Sequence, residues 1–335
     1  MLPVAGTLLL RSALITFVMH QERQVDGLRE EIEALLAPLS GTPDFYCLVR
    51  EPLSKLRRGL VAKNTHDRLW PLLPLMVCEA ISSHYERSLP AAAAMQLFMA
   101  AADVFDDIED ADSPESLPAR HGTAVATNVA TALLILAEKG LTRLKERGVE
   151  DCITVRAMDA INSFYTTACA GQHQDISGGS DASVSEDTYL TVAHLKSATT
   201  MECACYLGAL LGKGNQEIID MFTRFGYNLG MASQIANDID GITQGSDILK
   251  RKVTLPVIYA LAQADGEAHR QLESAFLKTS ECFPDPVQTR DLLFRTGAMH
   301  YATIKMEFYK QQALDLLYEA REAGASIESL KLFLE

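Results

Sequence analysis

Hydrophobic positions recur along this chain with the period of an α-helix rather than the two-residue alternation of a strand. Leu28, Ile32, Leu35 and Leu36 form one stripe, and Ala313, Leu316, Leu317 and Ala320 another. Segments 89–102, 124–137, 200–211 and 229–236 are nearly free of charge. A helix that is apolar on every side belongs in the middle of a bundle. Turn signals separate these runs: PLSGTP at 38–43, DSPESLP at 112–118, SGGSDAS at 177–183, GKGN at 212–215 and FPDP at 283–286. Ser185, followed by Thr188 and an apolar run, is placed to start a helix after the glycine-rich break. No β-hairpin, repeat or low-complexity linker interrupts the pattern. It predicts one all-α domain over 1–335 with buried central helices, residues 1–45 forming N-terminal helices of that same domain.

Composition narrows the function classes. The 335 residues are 48% hydrophobic, enough for a sizeable core, and carry a formal charge of -14. That charge argues against nucleic acid or an anionic membrane as the main partner, and an anionic ligand needs metal ions or a local basic patch to offset the field. The seven cysteines are scattered singly apart from Cys203 and Cys205, without zinc spacing or a disulfide framework, so a cytoplasmic location is expected. The apolar N-terminus, MLPVAGTLLLRSALITFVMHQER, is broken by Arg11 and lacks a basic n-region and a small-x-small cleavage site. Its run of about 17 residues is marginal for a span. It is expected to pack on the body, with no transmembrane segment.

The candidate chemistry starts at AADVFDDIEDAD, residues 101–112, where Asp103, Asp106, Asp107, Glu109, Asp110 and Asp112 crowd the end of an uncharged stretch. On a helix Asp103, Asp106, Asp107 and Asp110 follow i, i+3, i+4, i+7 and share one face. A solvated acidic helix end is the plain alternative. The apolar run before the cluster argues otherwise, because it implies a buried helix. Carboxylates near a helix C-terminus also oppose the helix dipole, at about 0.3–1 kcal/mol each. A hard divalent cation removes both penalties, and all-oxygen ligands suit Mg²⁺. A second cluster, SQIANDIDGITQGSD at 233–247, offers Gln234, Asn237, Asp238 and Asp240, with Asp247 beyond. Alone it reads equally well as a capped helix end. Paired with the first cluster, it suggests two carboxylate groups whose metal ions bridge a diphosphate.

These motifs resemble the trans-isoprenyl diphosphate synthases, the polyprenyl synthetase family. DDIED at 106–110 matches DDxxD, GQHQD at 171–175 matches GQxxD, and Lys196-Ser197 stands where that family has Lys-Thr. QIANDID corresponds to FQxxDDxxD, and KRKVTLP at 250–256 to GKxTLP. The resemblance runs from about residue 50 to the end and implies the isoprenoid synthase helical bundle with a central apolar cavity. It also implies Mg²⁺, as three ions, an allylic prenyl diphosphate as substrate, and a homodimer. Asp106, Asp107, Asp110, Asn237 and Asp238 are the implied metal ligands. Arg120, Lys196, Lys252, Gln172 and Gln234 are the implied substrate contacts, with Asp106, Asp107, Arg120 and Lys196 central to catalysis.

The departures shape the functional expectation. In the second motif Asn237 replaces the first aspartate, and the third falls on Gly241. Where the family reads GKRxRP, residues 66–71 read HDRLWP, so the lysine is Asp67 and the second arginine Trp70, leaving Arg68. His121 and Met99 replace two further isopentenyl diphosphate contacts. One charge reversal in a low-dielectric pocket costs on the order of several kcal/mol. The sequence therefore predicts loss of isopentenyl condensation and a Mg²⁺-dependent terpene cyclase that ionises one allylic diphosphate. Transfer of the prenyl cation to a peptide or other nucleophile, and residual polyprenyl diphosphate synthesis, are the alternatives. Ala101 and Ala102 stand where bulky residues limit chain length in the family, which favours a geranylgeranyl or longer substrate. Phe105, Phe98 and Trp70 are candidate faces for a carbocation, though each also fits plain core packing.

Overall fold

The computed structural model describes residues 4–55, 69–110, 113–178, 184–276 and 285–334, with backbone alone for 4–19, 69 and 178. It is 86% helical, and no strand occurs among the described residues. The contacts group the chain into two compact units, one of residues 1–161 and 207–215, the other of 162–206 and 216–335.

The first unit holds α1 (Val4–Leu36), α2 (Pro43–Leu53), α3 (Leu69–Ser82), α4 (Leu89–Asp110), α5 (Leu117–His121) and α6 (Thr123–Thr142). The 3.6-residue stripe of α1 does what its period demands: Leu28, Ile32, Leu35 and Leu36 are all at most 1% exposed. Each such leucine contributes about 1.5–3 kcal/mol by leaving water. The alanine run Ala91–Ala94 is wholly buried, and these small side chains let α6 pack closely along α4. PLSGTP forms a 3₁₀ turn, Ala37–Gly41, followed by Pro43 in the first turn of α2, where its missing N–H costs nothing. The buried Glu31 is paired with Arg143 at 2.7 Å and Arg147 at 2.8 Å, so its charge is compensated.

Burial on every side holds for most of α4 but not for α6. Val129, Leu133 and Leu136 of α6 are buried, while Ile135 is 64% exposed. Absence of charge permits a central position without requiring one. By length and apolar composition both Glu86–Asp110 and Thr123–Arg147 could cross a membrane. The most apolar window of the first is 78% buried within the protein, as in a soluble core helix.

The second unit takes in most of α7 (Asp151–Gly178), followed by α8 (Glu186–Ala193), the start of α9 (Thr199–Leu211) and α10 (Gln216–Gln244). It continues through α11 (Ser246–Leu249), α12 (Leu255–Gln263), α13 (Gly266–Phe276), α14 (Pro286–Arg295) and α15 (Ala298–Glu322). Long helix α10 lies along α15, with Met231, Ala232 and Ile235 packed among Leu255, Ala302 and Tyr309. Ser185 caps α8 as expected, its hydroxyl accepting the Thr188 N–H at 3.1 Å. Asp285 caps α14 in the same way. Between α8 and α9 the helix widens into one π turn, His194–Ala198.

Candidate functional site

The first aspartate motif is the last turn and a half of α4, which stays helical to Asp110, so Asp103, Asp106, Asp107 and Asp110 do share a face. All but the exposed Asp110 are half-buried. Asp107 is held by the Lys55 ammonium, whose Nζ donates to Oδ2 at 2.9 Å. The Arg120 guanidinium, on α5, donates from Nε to the Glu115 carbonyl at 3.0 Å and from Nη2 to the Glu51 carboxylate. Arg120 is placed by local chain chemistry: Ser116 caps α5 by accepting the Ala119 N–H, and Gly122 ends it at φ +84°.

Glu51 and Lys55 were not legible as site residues. Opposite charges four apart at a helix end read as a surface pair, yet the fold directs them to two different motif residues. Ala101 is buried and its neighbour Ala102 exposed, since adjacent helix positions diverge by about 100°. Phe105 and Trp70 are half-buried. Asp67, Arg68 and Asp112 lie outside the described residues.

In the second unit the motif residues form a connected network. Lys196 and Ser197 sit on the π turn and reach two different helices. Lys196 donates to Asp175 of α7 at 2.6 Å, and Ser197 Oγ donates to Gln234 Oε1 of α10 at 2.6 Å. Gln234 Nε2 in turn donates to Asp238 Oδ1 at 2.9 Å, and the Tyr189 hydroxyl donates to Oδ2 at 2.5 Å. The glycine of GQHQD has a steric reason. A Cβ on Gly171 would lie 2.5 Å from the Lys196 backbone nitrogen, so only glycine lets α7 approach the π turn. Gln172, next to it, is half-buried.

Asp238 is 1% exposed, and burial pushes its carboxyl up to about 6, against the opposing effects of the Tyr189 hydrogen bond and the Lys252 charge. Tyr189 is raised well above the phenol range by burial and by the adjacent Asp238 carboxylate. It is a member of the network that the motifs do not name. Asn237 and Asp240 are exposed. The missing third aspartate also has an explanation. The space a Cβ would take at Gly241 is filled by the Asp247 carboxylate, delivered by the tight turn at Gly245 (φ +85°). Asp247 and Lys252 lie close enough to perturb Asp238, with Asp247 raising its pKa and Lys252 lowering it.

Among the described residues no three acidic, histidine or cysteine side chains close on one point as a metal cage. Mg²⁺ is ordinarily held by one or two carboxylates together with substrate phosphates and water. The sparse oxygen donors of both clusters fit an ion bridged to a bound diphosphate, and do not fit a permanent structural metal.

Comparison with known proteins agrees with this chemistry. The polyprenyl synthetase family model matches residues 61–287. A geranylgeranyl diphosphate synthase of Mycobacterium tuberculosis is 31% identical over 227 residues, covering 64% of this chain and 63% of that protein, under two thirds of its length. One from Methanosarcina mazei is 27% identical over 290 residues, 80% of this chain and 85% of the relative. The solved geranylgeranyl pyrophosphate synthetase of Pyrococcus horikoshii superposes with a TM-score of 0.79 at 22% identity, covering 95% of each chain. A Caulobacter crescentus polyprenyl synthase solved with calcium and isoprenyl diphosphate gives 0.71 at 20% identity, covering 93% of this chain and 95% of the other. The fold is the all-α isoprenoid synthase bundle.

These relatives overturn the expectation of a terpene cyclase, and with it the lyase class, because by name they are prenyl diphosphate synthases. The expectation was drawn from four substituted positions, one of which, Asp67, lies outside the described residues. With its motifs, its fold and a family match over most of its length, this chain is an enzyme of the polyprenyl synthetase family.

Proposed function

We propose that this protein is a chain-elongating prenyl diphosphate synthase, condensing isopentenyl diphosphate with an allylic prenyl diphosphate to give a product of the geranylgeranyl class. The observation that carries the reading is the alignment with the Methanosarcina geranylgeranyl diphosphate synthase over most of both chains. In the reaction the allylic carbon–oxygen bond breaks, a carbon–carbon bond to the isopentenyl group forms, and a proton and pyrophosphate leave.

Mg²⁺ would be held by Asp106, Asp107 and Asp110 at the first cluster and by Asn237, Asp238 and Asp247 at the second. When bound it would supply positive charge to the departing diphosphate. The calcium and isoprenyl diphosphate in the Caulobacter structure support a divalent ion at such a site. Arg120, Lys196 and Lys252 add hydrogen-bond donors to diphosphate oxygens. The Ser197–Gln234–Asp238–Tyr189 chain fixes the orientation of the Gln234 amide, since each donor has one acceptor. A homodimer belongs to the same reading, and the exposed Ile135 of α6 is an apolar position available to it.

The test is product analysis after incubation with Mg²⁺, labelled isopentenyl diphosphate and dimethylallyl, geranyl or farnesyl diphosphate. Label should appear in a longer prenyl alcohol after phosphatase treatment. A hydrocarbon formed from the allylic diphosphate alone, with no label incorporated, would refute elongation.

A further inference from the structure

Two ion pairs at the end of α2 carry a consequence for substrate binding. Glu51 and Lys55 each pair with a candidate residue of the diphosphate site. Lys55 neutralises Asp107, a metal-ligand candidate, and Glu51 neutralises Arg120, a diphosphate-binding candidate. In charge terms Lys55 occupies the place of a metal ion, and Glu51 the place of a diphosphate oxygen. Neither pair is sealed from water: the side chains are 41% and 22% exposed in the first, 38% and 33% in the second. Partly solvated pairs of this kind are weak. A divalent cation outbids a single ammonium for Asp107, and a multiply charged diphosphate outbids one carboxylate for Arg120.

Once released, the Lys55 ammonium has three donors beside a carboxylate that would now carry metal and diphosphate. It is a cation of the aspartate motif in a chain of net charge -14 whose family lysine position is Asp67. We propose that Lys55 is a substrate-binding residue that moves from Asp107 to a diphosphate oxygen of a prenyl substrate, and that Glu51 is the anion this diphosphate displaces from Arg120. This rests on the reading that the site takes prenyl diphosphates. The shared ligand chemistry is a diphosphate on a divalent cation, whether from the allylic substrate or from isopentenyl diphosphate.

The two residues make opposite predictions, which a merely structural role does not. Calorimetric titration of inorganic pyrophosphate at saturating Mg²⁺, where competition for Asp107 no longer counts, should show Lys55→Met weakening affinity about tenfold, the loss of one charge-assisted hydrogen bond. Glu51→Gln should tighten it by about two- to fivefold by removing the competitor. Lys55→Arg should stay close to wild type, and melting temperatures should move little because both side chains are partly exposed. In steady-state assays of Lys55→Met, a KM rise confined to the allylic diphosphate places the ammonium on the leaving group. One confined to isopentenyl diphosphate places it on the co-substrate, and either supports the proposal.

Wild-type affinity in both Lys55→Met and Glu51→Gln overturns it, as does a wild-type protein that binds no pyrophosphate with Mg²⁺. The titration separates the two claims. If wild type makes no elongated product while Lys55→Met still weakens pyrophosphate binding, the elongation reading fails and the role of Lys55 stands. If wild type elongates and both variants bind pyrophosphate like wild type, the role of Lys55 alone fails.

Discussion

Burial and hydrogen bonding pull the Asp238 carboxylate in opposite directions. Burial wins, lifting its pKa from 3.8 to about 6. The sign of the stability effect follows. Between those values the folded chain holds a proton that the unfolded chain has released, so stability falls as pH rises through that window and levels off above it. Asp238→Asn removes this contribution. Denaturant midpoints measured at pH 4 and pH 7 should therefore lie closer together in the variant than in wild type. An unchanged difference between the two midpoints would mean that the carboxyl titrates normally. The residue's place in the second motif was legible from spacing, but its burial was not. Tyr189, which shares its carboxylate, lies 49 positions away and belongs to no local pattern.

At the scale of elements, the helical class and several breaks between helices, such as the start of α8 at Ser185, were written in periodicity and capping residues. The π turn at His194–Ala198 was not. Its sequence, HLKSA, has nothing to distinguish it from an ordinary helical turn, and the widened geometry is decided by what packs on it. Gly171 is the visible trace of that packing. Gly171→Ala places a methyl carbon 2.5 Å from the Lys196 nitrogen, so α7 and the π turn must move apart. Such overpacking typically costs about 1–3 kcal/mol. The same displacement would weaken the Lys196–Asp175 pair. The expected result is a lower melting temperature together with a raised KM for the diphosphate substrate. A stable variant with wild-type kinetics would show that the close approach is not needed.

For the molecule as a whole, helical class and family were legible because they rest on many residues at once. Specific activity was misread because it was inferred from four positions. Those four positions, Asp67, Trp70, Met99 and His121, are a small part of the chain, and Asp67 lies outside the described residues. The absence of a preformed acidic cage among the described residues makes a further prediction about metal. Chelation by EDTA should abolish elongation yet leave the helical circular dichroism and melting temperature in place. Mg²⁺ with pyrophosphate should stabilise the protein by mass action, by about 2.7 kcal/mol at a hundredfold excess over Kd, while Mg²⁺ alone should do little. Unfolding on chelation would point instead to a structural metal.

The Asp247 carboxylate fills the space that a side chain at Gly241 would need, so this chain can carry an acid at one of the two positions but not at both. The two positions form a reciprocal pair in which one side chain fits and two do not. Gly241→Asp alone, the change that restores the familiar spelling, should therefore lower the melting temperature. Adding Asp247→Gly should recover most of it, a non-additive result expected of residues that share one volume. A purely additive outcome would show the two sites to be independent.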